Sequence, residues 1–314
     1  MSGRDIFLVL VAFVSMYIGT TLPQWAETLA PFPRPLLMFM FFISFLAVGT
    51  EALRVVMRSR LRAVFQLIIS RLVLLPVLCF ILFRFIAPEF ALAAFLLGAS
   101  PVGVMAGIFS LMVHANTALI LVANIITSLL LPLSLPIMLL ILSTTVDLLH
   151  LAPMNLPAHL SLGGMTISLG VTILLPFALA HLIRTHLPRL TKSILDNKYP
   201  CMLVNISFTN VAIFSQYGDI LHQNPALIPS SLAVAIALGI FMTAISLPLA
   251  RRMEPRDGLA FIISYGTINN ILIMIVGMEF FSVIEALVAA AYLVPVYVLL
   301  LYYRHYARKA GIED

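Results

Sequence analysis

The sequence predicts an all-α integral membrane protein that crosses the bilayer ten times, in two inverted repeats of five helices. Three observations carry that prediction. The composition is too apolar for a water-soluble fold, the basic residues fall on one side of the apolar runs, and a short internal repeat divides those runs five and five.

Of the 314 residues, 62% are hydrophobic and 10% are charged, and the mean hydropathy is +1.10. Soluble domains lie near half apolar and a quarter charged. A soluble fold of this size has too little interior to hide the excess, so lipid must solvate it. The first apolar run lacks a small-residue cleavage site and is followed by many more, so it reads as a span and not as a removable signal. Cys79 and Cys201 lie in apolar segments, which argues against a disulfide framework or a metal site.

A span needs about 20 apolar residues. Runs of that kind occupy 6–22, 35–50, 63–86, 90–112, 117–142, 160–183, 200–217, 230–250, 259–278 and 282–303. The third and fifth exceed the minimum and are expected to tilt or to end in interfacial turns. Sorted by connection, fifteen basic residues fall on one side, including Arg4, Arg58, Arg60, Arg189, Arg252 and Arg308, and only Arg34 and Arg84 on the other. That bias places both termini in the cytoplasm of a multi-pass protein of the cell (inner) membrane. The net charge of +5 is therefore a topology signal, not a nucleic-acid surface, and the expected partner is the lipid bilayer. Arg71 is left over, inside the third run.

The pattern I-x-T-x-L-P occurs at 18–23 and again at 183–188, and the same offset relates Pro35 to Pro200. The runs divide in agreement, giving a first repeat over 1–142, a connection over 143–159 and a second repeat over 160–314. A duplicated unit with an odd number of spans inserts its second copy upside down, the plan of many secondary transporters. The fourth run carries Gly98, Ser100, Pro101, Gly103 and Gly107, and the ninth carries Ser264, Gly266, Thr267, Asn269 and Asn270. Proline removes a backbone donor, while Gly and Asn tolerate non-helical dihedrals. Both runs are thus expected to break. Unwound backbone at membrane depth survives where protein or a water-filled cavity satisfies it, so the breaks are the expected binding site for substrate or ion.

The stretch 101–110, followed by His114, Asn116, Pro132 and Pro136, resembles the region of the fourth and fifth helices of the bile acid:sodium symporter family. The stretch 173–184, with Pro176 and Arg184, resembles that family's sixth helix, and 265–270 falls at its ninth-helix motif. The resemblance implies a panel of spans 1, 2, 6 and 7 and a core of spans 3, 4, 5, 8, 9 and 10. In that core the broken helices 4 and 9 cross, and the substrate sits between panel and core. It implies transport by alternating access, with sodium ligands in the core. Where relatives carry a Ser-Asn pair after the first break, this chain has Ala106 and Gly107. Two hydroxyl places of helix 5 hold Ile120 and Asn124, a glutamate place of helix 9 holds Ser264, and a glutamine place there holds Ile268. A further glutamine place, on helix 3, holds Arg71, with Pro76 following. Sodium stays open as a coupling ion, but most of the ligand positions the resemblance implies are not kept.

Read together, the candidate substrate- or ion-binding residues are Arg71, Ser100, Pro101, Gly103, Asn124, Ser264, Thr267, Asn269 and Asn270. The intramembrane asparagines can equally serve as glue between helices, and Asn116 reads first as a helix cap. Arg71 can bind at the break or snorkel to the cytoplasmic surface. His114, His150, His159, His222, Glu51 and Glu285 lie at span ends or in loops, where headgroups and water are in reach. The function these features favour is secondary transport of an organic anion, a carboxylate or bile-acid-like amphipathic acid. A polytopic enzyme would need paired intramembrane carboxylates or metal-spaced histidines, which the spans do not carry. A channel would want a ring of polar groups along a continuous path, whereas the pair of broken helices argues more for a mid-membrane binding site. A polytopic membrane enzyme and a non-transporting sensor derived from a transporter stay as the alternatives. No metal and no cofactor is expected.

Overall fold

The computed structural model describes residues 3–48, 50–148, 156–157 and 160–312. Helices joined by short turns make up the described residues, without a β-strand among them. In chain order the helices are α1 (Gly3–Thr20), α2 (Ala26–Leu29), α3 (Pro33–Ala47), α4 (Thr50–Ser59), α5 (Leu61–Ile69), α6 (Leu75–Ile86), α7 (Ala91–Ala99), α8 (Val104–Met112) and α9 (Thr117–Leu148). They continue with α10 (Leu162–His186), α11 (Pro188–Asp196), α12 (Lys198–Gln223), α13 (Leu227–Ala250), α14 (Pro255–Gly266), α15 (Asn270–Phe280), α16 (Val283–Ala291) and α17 (Leu293–Lys309). Among the described residues five stretches are long and apolar enough to cross a membrane in one piece: Leu61–Ile86, Thr117–Leu148, Leu162–His186, Leu227–Ala250 and Val283–Lys309. A sixth appears if the pair Pro23–Leu29 and Pro33–Ala47, bent by 64°, counts as one span. The two runs expected to break are each split in two, as α7 with α8 and α14 with α15. Most of the 143–159 connection, with His150 and His159, lies outside the described residues, as does the side chain of Glu51.

Two short helices, α4 and α11, lie where the apolar runs leave connections. Both are amphipathic, with charges on one face, and too short to span. The internal repeat marks the ends of spans: Pro23 opens a 3-10 turn after α1, and Pro188 opens α11 after α10. Proline suits these first positions because its fixed φ is helical and its missing N–H would be unpaired there.

The chain divides into two compact units, one of 1–47 with 170–229 and another of 48–169 with 230–314. Each draws on both sequence halves. In the first unit α1 packs along α12, and asparagine side chains fasten α12 to its neighbours. Asn210 Nδ2 donates to Ala12 O at 3.3 Å and to Ser15 Oγ at 3.1 Å, while Asn205 Nδ2 donates to Leu36 O at 3.0 Å. Arg184 Nη2 donates to Leu46 O at 2.6 Å, near the end of α3. A cation there satisfies a carbonyl that the helix leaves open and meets the negative end of its dipole.

In the second unit α5 and α6 are joined by a π-turn, Ser70–Leu74, in which Leu75 N–H reaches Ser70 O, five residues back. Pro76 explains the slip. It has no N–H for Leu72 O, and its ring crowds that carbonyl, so the preceding turn widens. The widened turn carries Arg71.

One end of this unit is tied by a polar network. Arg60 Nη2 meets Glu254 Oε2 at 2.7 Å and Arg60 Nη1 meets Asp257 Oδ2 at 3.1 Å. Asn116 Nδ2 donates to Asp257 Oδ1 at 2.7 Å, Asn116 N–H donates to Arg256 O at 3.2 Å, and Asn116 Oδ1 accepts from Leu119 N–H at 3.1 Å. Asn116 thus caps α9, as its place in the sequence suggests, and also ties that cap to α14. The Arg60 guanidinium, through its hydrogen bond and its charge, holds the Glu254 carboxyl below the usual carboxylate range. A depressed carboxylate contributes above its unfolded pKa and loses that contribution as pH falls through its folded one. Glu254→Gln is therefore expected to lower thermal stability at neutral pH but not at strongly acidic pH, as a melting series against pH would read.

The loop after α8 turns through His114, whose φ is 52°. Ala115 N–H then closes on Ser110 O at 2.9 Å, a helix-ending turn in which glycine is the usual residue. His114→Gly is expected to raise stability by about 1 kcal/mol by relieving the left-handed backbone, read as a higher melting temperature in detergent.

Candidate functional site

The two helix breaks lie against each other in the second unit. Helix α7 ends at Ala99 and α8 starts at Val104; α14 ends at Gly266 and α15 starts at Asn270. Between them Val102 and Ile268 form a single antiparallel bridge. Gly103 N–H donates to Thr267 O at 2.9 Å, and Asn269 N–H donates to Pro101 O at 3.2 Å. These two bonds are reciprocal, each running from the residue after the bridge to the residue before it. Four backbone groups that broken helices would leave open are paired in this way, which answers the requirement that buried backbone be satisfied.

The approach is close enough to dictate sequence. A Cβ built on Gly103 would overlap the Ile268 carbonyl oxygen and lie 2.7 Å from its carbon. Ser100 Oγ accepts from Asn269 N–H at 3.1 Å. From α9, Thr127 Oγ1 accepts from Val102 N–H at 3.2 Å. Two negative helix ends, of α7 and α14, and two positive ones, of α8 and α15, therefore meet around one bridge.

Arg71 lies beside the end of α14. Its side chain is 0% exposed, and Nη1 donates to Tyr265 O at 3.1 Å. Snorkelling is not what this side chain does. The guanidinium caps a carbonyl freed by the break and sits at the negative end of a helix dipole. Tyr292 OH caps the neighbouring carbonyl, Gly266 O, at 3.0 Å. The Tyr303 hydroxyl approaches those of Thr267 and Thr243. Arg71 Nε and Nη2 and Ser264 Oγ are buried without a hydrogen-bond partner among the described residues. Arg71 makes no ion pair among them, and the buried carboxylates, Asp257 and Glu285, are engaged elsewhere. Glu285 joins Ser282 in a capping box at the start of α16.

Of the candidate residues, Ser100, Pro101, Gly103, Thr267 and Asn269 are joined by direct hydrogen bonds at the bridge, and Arg71 reaches the end of α14. The side chains of Asn269 and Asn270 meet backbone groups. Asn269 Oδ1 accepts from Leu272 N–H at 3.3 Å, capping α15. With its amide turned to suit its neighbours, Asn270 donates to Ile268 O at 3.1 Å and accepts from Leu293 N–H at 3.2 Å. Leu293 opens α17, and the first N–H groups of a helix have no partner within it. Asn124 has a different environment: its Oδ1 accepts from Ser128 Oγ at 3.2 Å, and it is Thr127 that reaches the break. The polar row Asn124, Thr127 and Ser128 is visible in the sequence. Its orientation is not, because residues three apart share only roughly the same face. Tyr292 and Tyr303 give no signal beyond being tyrosines in an apolar run.

Buried carbonyls, amides and hydroxyls thus gather around one cation, and among the described residues no three His, Cys, Asp or Glu side chains gather as a metal group would.

Long apolar helices, together with two discontinuous ones bridged at their breaks, define a multi-pass helical membrane protein. The chain belongs to the sodium bile acid symporter family, whose model matches residues 34–224. Members of that family are membrane transporters rather than enzymes. The match includes Arg71 and the first break and stops before the second. No curated protein matches the chain.

Proposed function

We propose that the chain is a secondary active transporter of an organic anion, a carboxylate or a bile-acid-like amphipathic acid, working by alternating access. The observation that carries this reading is Arg71, a fully buried cation with one nitrogen on the end of a broken helix and two without acceptors among the described residues. An uncompensated buried charge is costly, and a site built around one favours a negatively charged occupant. The guanidinium also puts a permanent positive charge where the family resemblance implies a sodium-ligating glutamine. Transport is therefore read as independent of the sodium gradient.

The same reading has ten spans in two inverted repeats, with both termini in the cytoplasm of the cell membrane. It is supported by the loop bias and by the network that gathers Arg60, Asn116 and Glu254 at one end of a unit. Reporter fusions at the C-terminus and within the 143–159 connection are expected to report opposite sides.

The binding test is a thermal-shift screen of purified protein against carboxylates and sterol-type acids, with sodium or with choline as the cation. A ligand at a hundred times its Kd stabilises by about 2.7 kcal/mol. The reading expects at least one anion to raise the melting temperature equally in both salts, and no such shift in Arg71→Met. Shifts that require sodium, or none from any anion, would contradict it.

A further inference from the structure

Five exposed arginines gather at the networked end of the second unit. Arg58 and Arg62 flank Arg60 at the corner between α4 and α5, while Arg251, Arg252 and Arg256 flank Glu254 before and at the start of α14. The contacts of Arg60 with Glu254 at 2.7 Å and with Asp257 at 3.1 Å pin the two segments together, so these arginines share one patch. Among the described residues the two carboxylates there, Glu254 and Asp257, are taken up by Arg60, and Asp257 also by Asn116. The remaining five guanidiniums face outward with like charges as neighbours. Directly beside them Val55, Leu61 and Phe65 are 54%, 56% and 62% exposed. Leu61 and Phe65 begin the apolar stretch Leu61–Ile86, long enough to cross a membrane.

The geometry points to a binding surface for anionic phospholipid. The arginines take the headgroup phosphate through their paired N–H donors, and the exposed apolar side chains lie along the acyl chains. A soluble anion would use the arginines alone. The apolar margin, continuous with a lipid-facing span, selects a lipid, and basic clusters immediately beside a span are the usual partner of an acidic leaflet. Bound headgroups also relieve repulsion on Arg60, leaving it to hold α14.

The probe is dioleoyl phosphatidylglycerol, mixed equally with the phosphatidylcholine of the same chains in nanodiscs holding the full chain, with retained lipid read by native mass spectrometry. Wild type is expected to retain phosphatidylglycerol in preference, and R251Q/R252Q/R256Q to lose that preference by at least about tenfold. Arg84→Gln, at the far end of the same span, should leave it unchanged. Should the triple variant not fold, raised salt applied to wild type reads the same term, since exposed charges are screened within about 10 Å at 0.1 M. Equal retention of the two lipids, a preference kept by the folded triple variant, or displacement by inorganic phosphate alone would overturn the inference, the last by assigning the patch to a soluble anion.

Discussion

Arg71→Met should abolish binding and transport of an organic anion while leaving a folded protein. The substitution removes the charge and keeps an apolar stem of similar girth. It deletes one charge-assisted hydrogen bond, to Tyr265 O, worth about 1.5–3 kcal/mol. It also removes the cost of burying a guanidinium that has no carboxylate partner among the described residues, and swaps of buried charges for well-packed apolar side chains are often neutral or stabilising. The two terms oppose each other, so the melting temperature should move little. Activity has no such compensation: a site that recognises an anion through one fixed cation should lose at least about a hundredfold in affinity, the equivalent of about 2.7 kcal/mol. Arg71→Lys separates charge from shape. A shorter reach and a point charge should keep part of the binding and lose the cap on α14.

Gly103→Ala should have the larger effect on the fold. The added methyl group would overlap the Ile268 carbonyl, and that carbonyl belongs to the bridge itself. Overpacking of this kind costs about 1–3 kcal/mol. Separating the two breaks also weakens the Gly103–Thr267 and Asn269–Pro101 hydrogen bonds, each worth about 1 kcal/mol net and more if its groups are left buried and unpaired. A loss of about 3 kcal/mol or more is expected from the two terms together, measured as a fall in melting temperature and in yield of monodisperse protein. Ala106 also follows the break and is buried, and it lies inside α8 rather than at the bridge, so Ala106→Gly is the matched comparison; it should cost only the roughly 1 kcal/mol of a glycine inside a helix.

The helices and their breaks are legible in the sequence because their causes are local. An apolar run of span length has no other way to satisfy its backbone in lipid, and Pro101, Gly103 and Asn269 interrupt helices by their own stereochemistry. What is not legible depends on partners far away in the chain. Arg71 reaches Tyr265, 194 residues on, through a π-turn that follows from Pro76 but is not announced by it. Thr127 outranks Asn124 at the break because of how α9 is rotated, which nearly uniform hydrophobicity around that helix leaves open. Asn269 and Asn270 invite a reading as ligands, since polar amides at membrane depth need partners. Their partners are the backbone groups of Leu272, Ile268 and Leu293. The short helices α4 and α11 read as connections because their charges hide an apolar face of only a few residues.

Uptake into proteoliposomes reads the central claim most directly. The purified chain, reconstituted and offered a radiolabelled anion that shifts its melting temperature, is tested with an imposed sodium gradient and with sodium replaced throughout by choline. The account predicts uptake at the same initial rate in both conditions and none above empty vesicles for Arg71→Met. Uptake that appears only with the sodium gradient, or that persists unchanged in Arg71→Met, would contradict it.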